Sequence, residues 1–151
     1  MQTKARVPMT RDVTVAPPEL PLPAAWRIME RLDVRHLPIV RAGALFGILS
    51  DRDVLLHAKR EESGVLLVPE VAVAEVMSSE LVTCEADTSV SELARIMTQR
   101  KIDAIPIVRG LKLIGLVTST DLMALLIDEE RVSPPPFDFR IIETDGVTLL
   151  A

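Results

Sequence analysis

Gly47-Ile48-Leu49-Ser50-Asp51-Arg52-Asp53 and Gly115-Leu116-Val117-Thr118-Ser119-Thr120-Asp121 are one motif written twice, at a constant offset of 68 positions. Outward from it, the offset holds without a gap over residues 7–60 and 75–128. Pro38-Ile39-Val40-Arg41 falls on Pro106-Ile107-Val108-Arg109, Arg27-Ile28-Met29 on Arg95-Ile96-Met97, and Met9 on Met77. Where the copies differ they keep character, as in Leu22 with Val90, Ile48 with Leu116 and Ser50 with Thr118. The period is too long for a helical solenoid unit, and two copies imply a pseudo-twofold pair of modules with a shared core and two equivalent clefts. Each copy has about 55 residues, marginal for burying a core alone, so the copies are expected to pack on each other.

The same order of patterns runs through both copies. A β-rich stretch comes first, Val13–Val15 and Leu81–Thr83. An amphipathic helix follows, with Leu22, Ala25, Trp26 and Met29, then Val90, Leu93, Ala94 and Met97, at helical spacing. Thr88 or Ser89 with Glu92 marks the second start, and Pro23 suits a first turn. Two short strands are predicted next, Leu37–Arg41 with Leu45–Leu49 and Ile105–Arg109 with Leu113–Val117, and then a helix at about Arg52–Arg60 or Thr120–Glu130. The resulting class is α+β: two pseudo-symmetric repeats, each a small mixed sheet with two helices, packed sheet to sheet. The repeats span 7–60 and 75–130, joined by a connector at 61–74. Residues 131–151 form a tail, in which Ser133-Pro134-Pro135-Pro136 is a stiff linker and Thr144-Asp145-Gly146 the turn of a small hairpin. Docking of this tail on a dimer mate is expected, because a lone hairpin is marginal in water.

Composition narrows the function. Of 151 residues, 48% are hydrophobic and 26% charged, a globular balance, and no apolar run reaches membrane-spanning length. Aromatics at 3% supply little for base stacking, and a net charge of −5 without a basic run disfavours phosphate neutralisation on nucleic acid. The single cysteine, Cys84, excludes an intrachain disulfide and fits a reducing compartment, so a cytoplasmic location is expected. His36 and His57 are the only histidines, so no metal-ligand cluster is expected. No nucleophile–base pair or Walker glycine loop is present either, which argues against an enzyme. Met29, Met97 and Met123 read as core fillers, and Trp26 as a packing residue.

The repeated Gly-x-x-Ser/Thr-x-x-Asp motif admits two readings. In one, Ser50-x-x-Asp53 and Thr118-x-x-Asp121 are plain helix capping boxes. In the other they suit a nucleotide: backbone N–H groups at a helix start favour an anion, the hydroxyl bonds a ribose or phosphate oxygen, and the carboxylate accepts two hydrogen bonds from a cis-diol. The doubling, and the glycine before each strand end where a backbone can be approached closely, favour the second.

With Met9-Thr10 and Met77-Ser78, the Leu37-Pro38-Ile39-Val40 and Ile105-Pro106-Ile107-Val108 strands, and both motif ends, residues 7–130 resemble a tandem pair of cystathionine-β-synthase (CBS) domains, a Bateman module. The resemblance implies a regulatory module that binds an adenosine derivative (AMP, ADP or ATP, with S-adenosylmethionine or NAD as further candidates) in clefts between the repeats. It casts Ser50, Asp53, Thr118 and Asp121 as ribose and phosphate holders. Val15, Leu37, Pro38, Thr83, Ile105 and Pro106 become candidate adenine walls. In such relatives the side chains before the strand proline of one repeat reach phosphates held by the other, which assigns Arg35 and His36 to the Asp121 site and Asp103 and Ala104 to the Asp53 site. A carboxylate beside a phosphate costs binding, and Arg52 offsets part of that. The expected partners are the nucleotide, a second copy in a homodimer and a separate effector protein. The competing expectation is a ligand-free structural or interaction dimer.

Overall fold

The computed structural model describes residues 2–129, Val7 and Arg11 excepted. The first repeat runs α1 (Leu22–Leu32), β1 (His36–Arg41), β2 (Ala44–Ser50) and α2 (Asp51–His57). A minimal hairpin of β3 (Lys59–Arg60) and β4 (Leu66–Leu67) follows, then a 3-10 turn at Val73–Glu75. The second repeat runs α3 (Val90–Arg100), β5 (Ala104–Arg109), β6 (Lys112–Thr118) and α4 (Ser119–Glu129). The hairpin expected within residues 131–151 lies outside the described residues.

Helix α1 forms where the apolar spacing demands it, burying Leu22, Ala25 and Met29, with Trp26 packed at the margin of that core. Helix α3 buries Leu93 and Met97, and its start is capped by the Ser89 hydroxyl, which accepts the Glu92 N–H at 3.2 Å. Both helices end on a left-handed residue, Asp33 (φ 53°) and Lys101 (φ 54°), which turns the chain sharply into the following strand. The strand hairpins are antiparallel with a bulge at the same place, between Ile39 and Val40 and between Ile107 and Val108.

Three local expectations change. The stretches Val13–Val15 and Leu81–Thr83 are not strands; among the described residues the chain pairs in parallel only at Ala16 with Ile39 and at Cys84 with Ile107. The named strands pair antiparallel throughout, so the sheet expected to be mixed is antiparallel, with these single bridges at its margin. The helix expected over Arg52–Arg60 stops at His57. There the chain reverses through the Glu61–Val65 turn, closed by the Gly64 N–H to Glu61 O bond at 2.9 Å, and Lys59-Arg60 gains ladder partners in Leu66-Leu67.

The third change concerns which residues complete which core. Met77 and Ser78 belong by repeat to the second copy, yet Ser78 exchanges two backbone hydrogen bonds with Ile48 of the first, at 3.1 and 3.0 Å. Met9 and Thr10 belong to the first copy, yet Thr10 exchanges two with Leu116 of the second, at 2.8 and 3.0 Å. Each repeat thus lends its leading strap to the other. Val73, Val76 and Met77 close the first core around Leu37, Ile39 and Leu49, while Ala5 and Met9 close the second around Ile105, Ile107 and Val117. Two apolar clusters replace the single shared core expected from repeat size.

Gly47 and Gly115 are the points of contact for these straps. A Cβ on Gly47 would lie 2.5 Å from Met77 Sδ and 2.9 Å from Ser78 O, and one on Gly115 2.8 Å from Met9 Sδ and 3.1 Å from Thr10 O. The backbone approach inferred from the glycines is therefore that of the exchanged straps. The sheets meet at one antiparallel bridge, Ala44 to Lys112, which links the hairpins in the order β1-β2-β6-β5.

Candidate functional site

The strap exchange leaves two clefts between the repeats. One, of about 290 Å³, opens at Thr118, Thr120 and Asp121. Its other walls are Asp33, Val34, Arg35 and His36, and the strap residues Thr10, Asp12, Val13 and Thr14. The other, of about 270 Å³, opens at Ser50, Asp51, Arg52 and Asp53 and faces Lys101, Ile102, Asp103 and Ala104, with Ser78, Glu80, Leu81 and Val82 from the second strap. Both volumes sit near the lower end of the range for small-molecule sites.

The sequence motif folds into a capping box in each copy. Ser50 Oγ accepts the Asp53 N–H at 3.1 Å while Asp53 Oδ2 accepts the Ser50 N–H at 2.8 Å. Thr118 Oγ1 and Asp121 do the same at 3.2 and 2.8 Å. The box holds both side chains at the cleft edge without exhausting them. A serine or threonine hydroxyl that accepts one bond still has its O–H to donate, and a carboxylate that accepts one bond at one oxygen keeps further lone pairs. Each cleft therefore presents one hydroxyl donor and one carboxylate acceptor, fixed in rotamer by the helix they cap.

The backbone at the two helix starts is not equivalent. The Arg35 carbonyl accepts the Asp51 N–H at 2.9 Å, and the Asp51 carboxylate accepts the Arg52 N–H at 2.8 Å. In the second copy the Asp103 carbonyl takes the Ser119 N–H at 2.8 Å, but Ser119 replaces the aspartate, so no carboxylate covers the N–H of Thr120. Helix α4 thus offers its amino-terminal end to the Asp121 cleft more openly than α2 does to the Asp53 cleft.

Burial pushes the His36 imidazole below its ordinary value of 6.5, against the pull of Asp51, while Arg35 adds to the lowering and Asp103 and Asp53 oppose it. His36 is consequently neutral near pH 7, a hydrogen-bonding group in place of a second cation. Burial raises the Cys84 thiol, partly opposed by a hydrogen bond from Thr88, so the sulfur stays protonated and packs against the second core. His57 lies on exposed α2, its Nδ1 2.8 Å from the Asp53 carbonyl. Among the described residues no group of three or more His, Cys, Asp or Glu side chains is placed to hold a metal ion.

The placement of the expected site residues is mixed. Ser50, Asp53 and Arg52 share one cleft with Asp103 and Ala104; Thr118 and Asp121 share the other with Arg35 and His36. Arg35 and His36 also line the Asp53 cleft, and Lys101 adds a cation there, so the expected charge contrast between the clefts is weaker than the repeat alone implies. Of the six adenine-wall candidates only Pro106 lines a cleft. Leu37 and Ile105 are fully buried in the two cores, because on a strand they share a face with Ile39 and Ile107, which pack under the helices. Pro38 is buried as well, and Val15 and Thr83 lie outside both clefts. The apolar walls are instead Val13, Val34 and Leu116 in one cleft and Ile48, Leu81, Val82, Ile102 and Pro106 in the other. Asp33 and Lys101 escaped the motif reading; the signal for them was a polar residue at the same repeat position, directly after each amphipathic helix.

Comparison with known proteins agrees with this architecture. The CBS domain family model matches residues 5–60 and 73–128. The CBS domain-containing protein YhcV of Bacillus subtilis is 32% identical over 114 residues, covering 76% of this chain and 79% of that one. Other curated relatives are longer, the chain spanning 44% of one and 22% of another. Among solved structures, AcuB of Vibrio cholerae superposes with a TM-score of 0.74 at 32% identity, covering 85% of this chain and 94% of that one. The CBS domain pair of protein MJ0100, solved with 5'-methylthioadenosine and S-adenosyl-L-methionine, shares the fold with a TM-score of 0.73 at 23% identity, covering 86% and 100%. Doubled motif, exchanged straps and matched family model converge on one conclusion: the chain belongs to the CBS domain family, as a tandem pair of CBS domains.

Proposed function

We propose that this CBS pair is a sensor of an adenosine-containing ligand, AMP, ADP or ATP, bound in the clefts between its repeats. The observation that carries this reading is the pair of preset hydroxyl–carboxylate edges, Ser50 with Asp53 and Thr118 with Asp121, each facing Arg35 across a cleft with apolar walls. The carboxylate accepts the ribose hydroxyls, the hydroxyl and the guanidinium hold phosphate, and the apolar walls receive the base. The adenosine ligands held by the MJ0100 pair support the ligand class for this fold. Because each cleft is built from both repeats, a ligand favours the relative repeat orientation it binds more tightly, and shifts the population toward it. The signal then passes to a separate effector protein in the cytoplasm.

The pair acts as a homodimer in this reading. Helices α2 and α4 expose Leu55, Leu56, Met123, Leu126 and Ile127, a density of apolar side chains that a second copy would cover. The competing role, a ligand-free interaction module, draws support from the capping boxes, which already give Ser50, Asp53, Thr118 and Asp121 a structural task.

A thermal-shift screen over AMP, ADP, ATP, NAD and S-adenosylmethionine separates the two, since a ligand bound only by the native state raises its stability. Stabilisation by a phosphate-bearing nucleotide, reduced in Asp53→Ala or Asp121→Ala, supports the sensor. Removing a charge-assisted ribose contact costs about 1.5–3 kcal/mol of binding. No shift with any of the five leaves the interaction module.

A further inference from the structure

The two clefts do not own separate sets of phosphate partners. Arg35 and His36 line both, whereas their repeat counterparts Asp103 and Ala104 line only the cleft at Asp53. The second repeat contributes a carboxylate and a methyl group where the first contributes a guanidinium and an imidazole. Among the described residues lining the Asp121 cleft, Arg35 is the one permanent cation; the Asp53 cleft also has Arg52 and Lys101, set against Asp51, Asp53, Glu80 and Asp103. The Arg35 backbone is anchored by its carbonyl on the Asp51 N–H, at 2.9 Å, while its residue is exposed. A long side chain pivoting on a fixed backbone can serve either cleft, but a guanidinium drawn into bidentate contact in one is turned away from the other.

Building on the sensor reading above, we propose that Arg35 is shared between the clefts, so that a phosphate-bearing nucleotide in one weakens binding in the other. A ligand at Asp121 draws the guanidinium to its phosphate, and the second ligand then meets four carboxylates with two cations. The coupling is reciprocal by linkage, and a lost charge-assisted contact corresponds to a weakening of about tenfold or more.

Calorimetry with AMP on the full chain tests this against Asp121→Asn, which retains an acceptor for the Thr118 N–H and leaves the Asp53 cleft to be measured alone. In Asp121→Asn, AMP should bind the Asp53 cleft about tenfold more tightly than it binds in the second, weaker phase of the unsubstituted chain. Adding Arg35→Gln should lower that affinity to the level of the weaker phase. Adenosine, which has no phosphate, should show no such dependence on Arg35. Two equal, independent phases in the unsubstituted chain, or a second phase that matches Asp121→Asn, overturns the sharing while leaving the sensor reading intact. Absence of heat with AMP, together with no thermal shift by any of the five ligands, overturns both. An AMP affinity of Asp121→Asn that Arg35→Gln leaves unchanged overturns the role of Arg35.

Discussion

Replacing Gly47 by alanine tests the strap exchange directly. The new methyl would sit 2.5 Å from Met77 Sδ, 2.9 Å from Met77 Cγ and 2.9 Å from the Ser78 carbonyl oxygen. The thioether can move, but the carbonyl cannot move without disturbing the two hydrogen bonds that tie Ser78 to Ile48. Overpacking of this kind costs about 1–3 kcal/mol, and each compromised hydrogen bond adds roughly 0.5–1.5 kcal/mol. A loss of about 2–6 kcal/mol is expected, a large part of the stability of a small domain. At Gly115 the same methyl finds its nearest atom on the flexible Met9 side chain, at 2.8 Å, and the Thr10 carbonyl further off at 3.1 Å. Gly115→Ala should therefore cost less, about 1–2 kcal/mol. Urea denaturation followed by circular dichroism gives both values. If Gly115→Ala is the more damaging, or if both cost under about 0.5 kcal/mol, the straps do not pack on the glycines as described. Trimming Met77 to alanine in the Gly47→Ala background should recover only part of the loss, because the carbonyl contact remains.

Two further outcomes follow from the charges and the surface. Burial holds the His36 pKa below 6.5, so the stability it contributes is full above 6.5 and is lost as the pH falls from there through the lowered folded value; the unfolded chain takes up the proton first. The stability difference between the unsubstituted chain and His36→Gln, from urea titrations at pH 7.5 and 5.5, should move against the unsubstituted chain at the lower pH, and a difference that stays constant refutes the linkage. On the surface, Ile127→Glu should dissociate the proposed dimer, since Ile127 is 74% exposed on α4 and Leu126 beside it 64%. A side chain of that size is worth about 1.5–3 kcal/mol when buried, and twofold symmetry counts it twice. Sedimentation equilibrium reads the change; an unaltered association constant moves the interface elsewhere.

Local sequence was enough for the helices and hairpins that near neighbours decide, though not for the Val13–Val15 and Leu81–Thr83 stretches, which form no strand, nor for the end of α2 at His57. Apolar spacing set α1 and α3, alternation and turn residues set both hairpins, and the doubled motif placed Ser50, Asp53, Thr118 and Asp121 at strand–helix corners, because each of these is a property of ten or so consecutive residues. The repeat itself carried the class, α+β, and the CBS resemblance. Tertiary structure decided what depends on distant residues. Repeat alignment assigns Met9-Thr10 to the first module and Met77-Ser78 to the second, and the folded chain does the reverse. Nothing in a strap's own pattern says which sheet edge it will pair with; that choice is made by the whole topology. The same holds for the sites. Leu37 and Ile105 looked like cleft walls by position, but the side of the sheet they share with Ile39 and Ile107 is covered by helices and buries them. Arg35 looked like a partner for one cleft, and only the approach of the two repeats brings it to both.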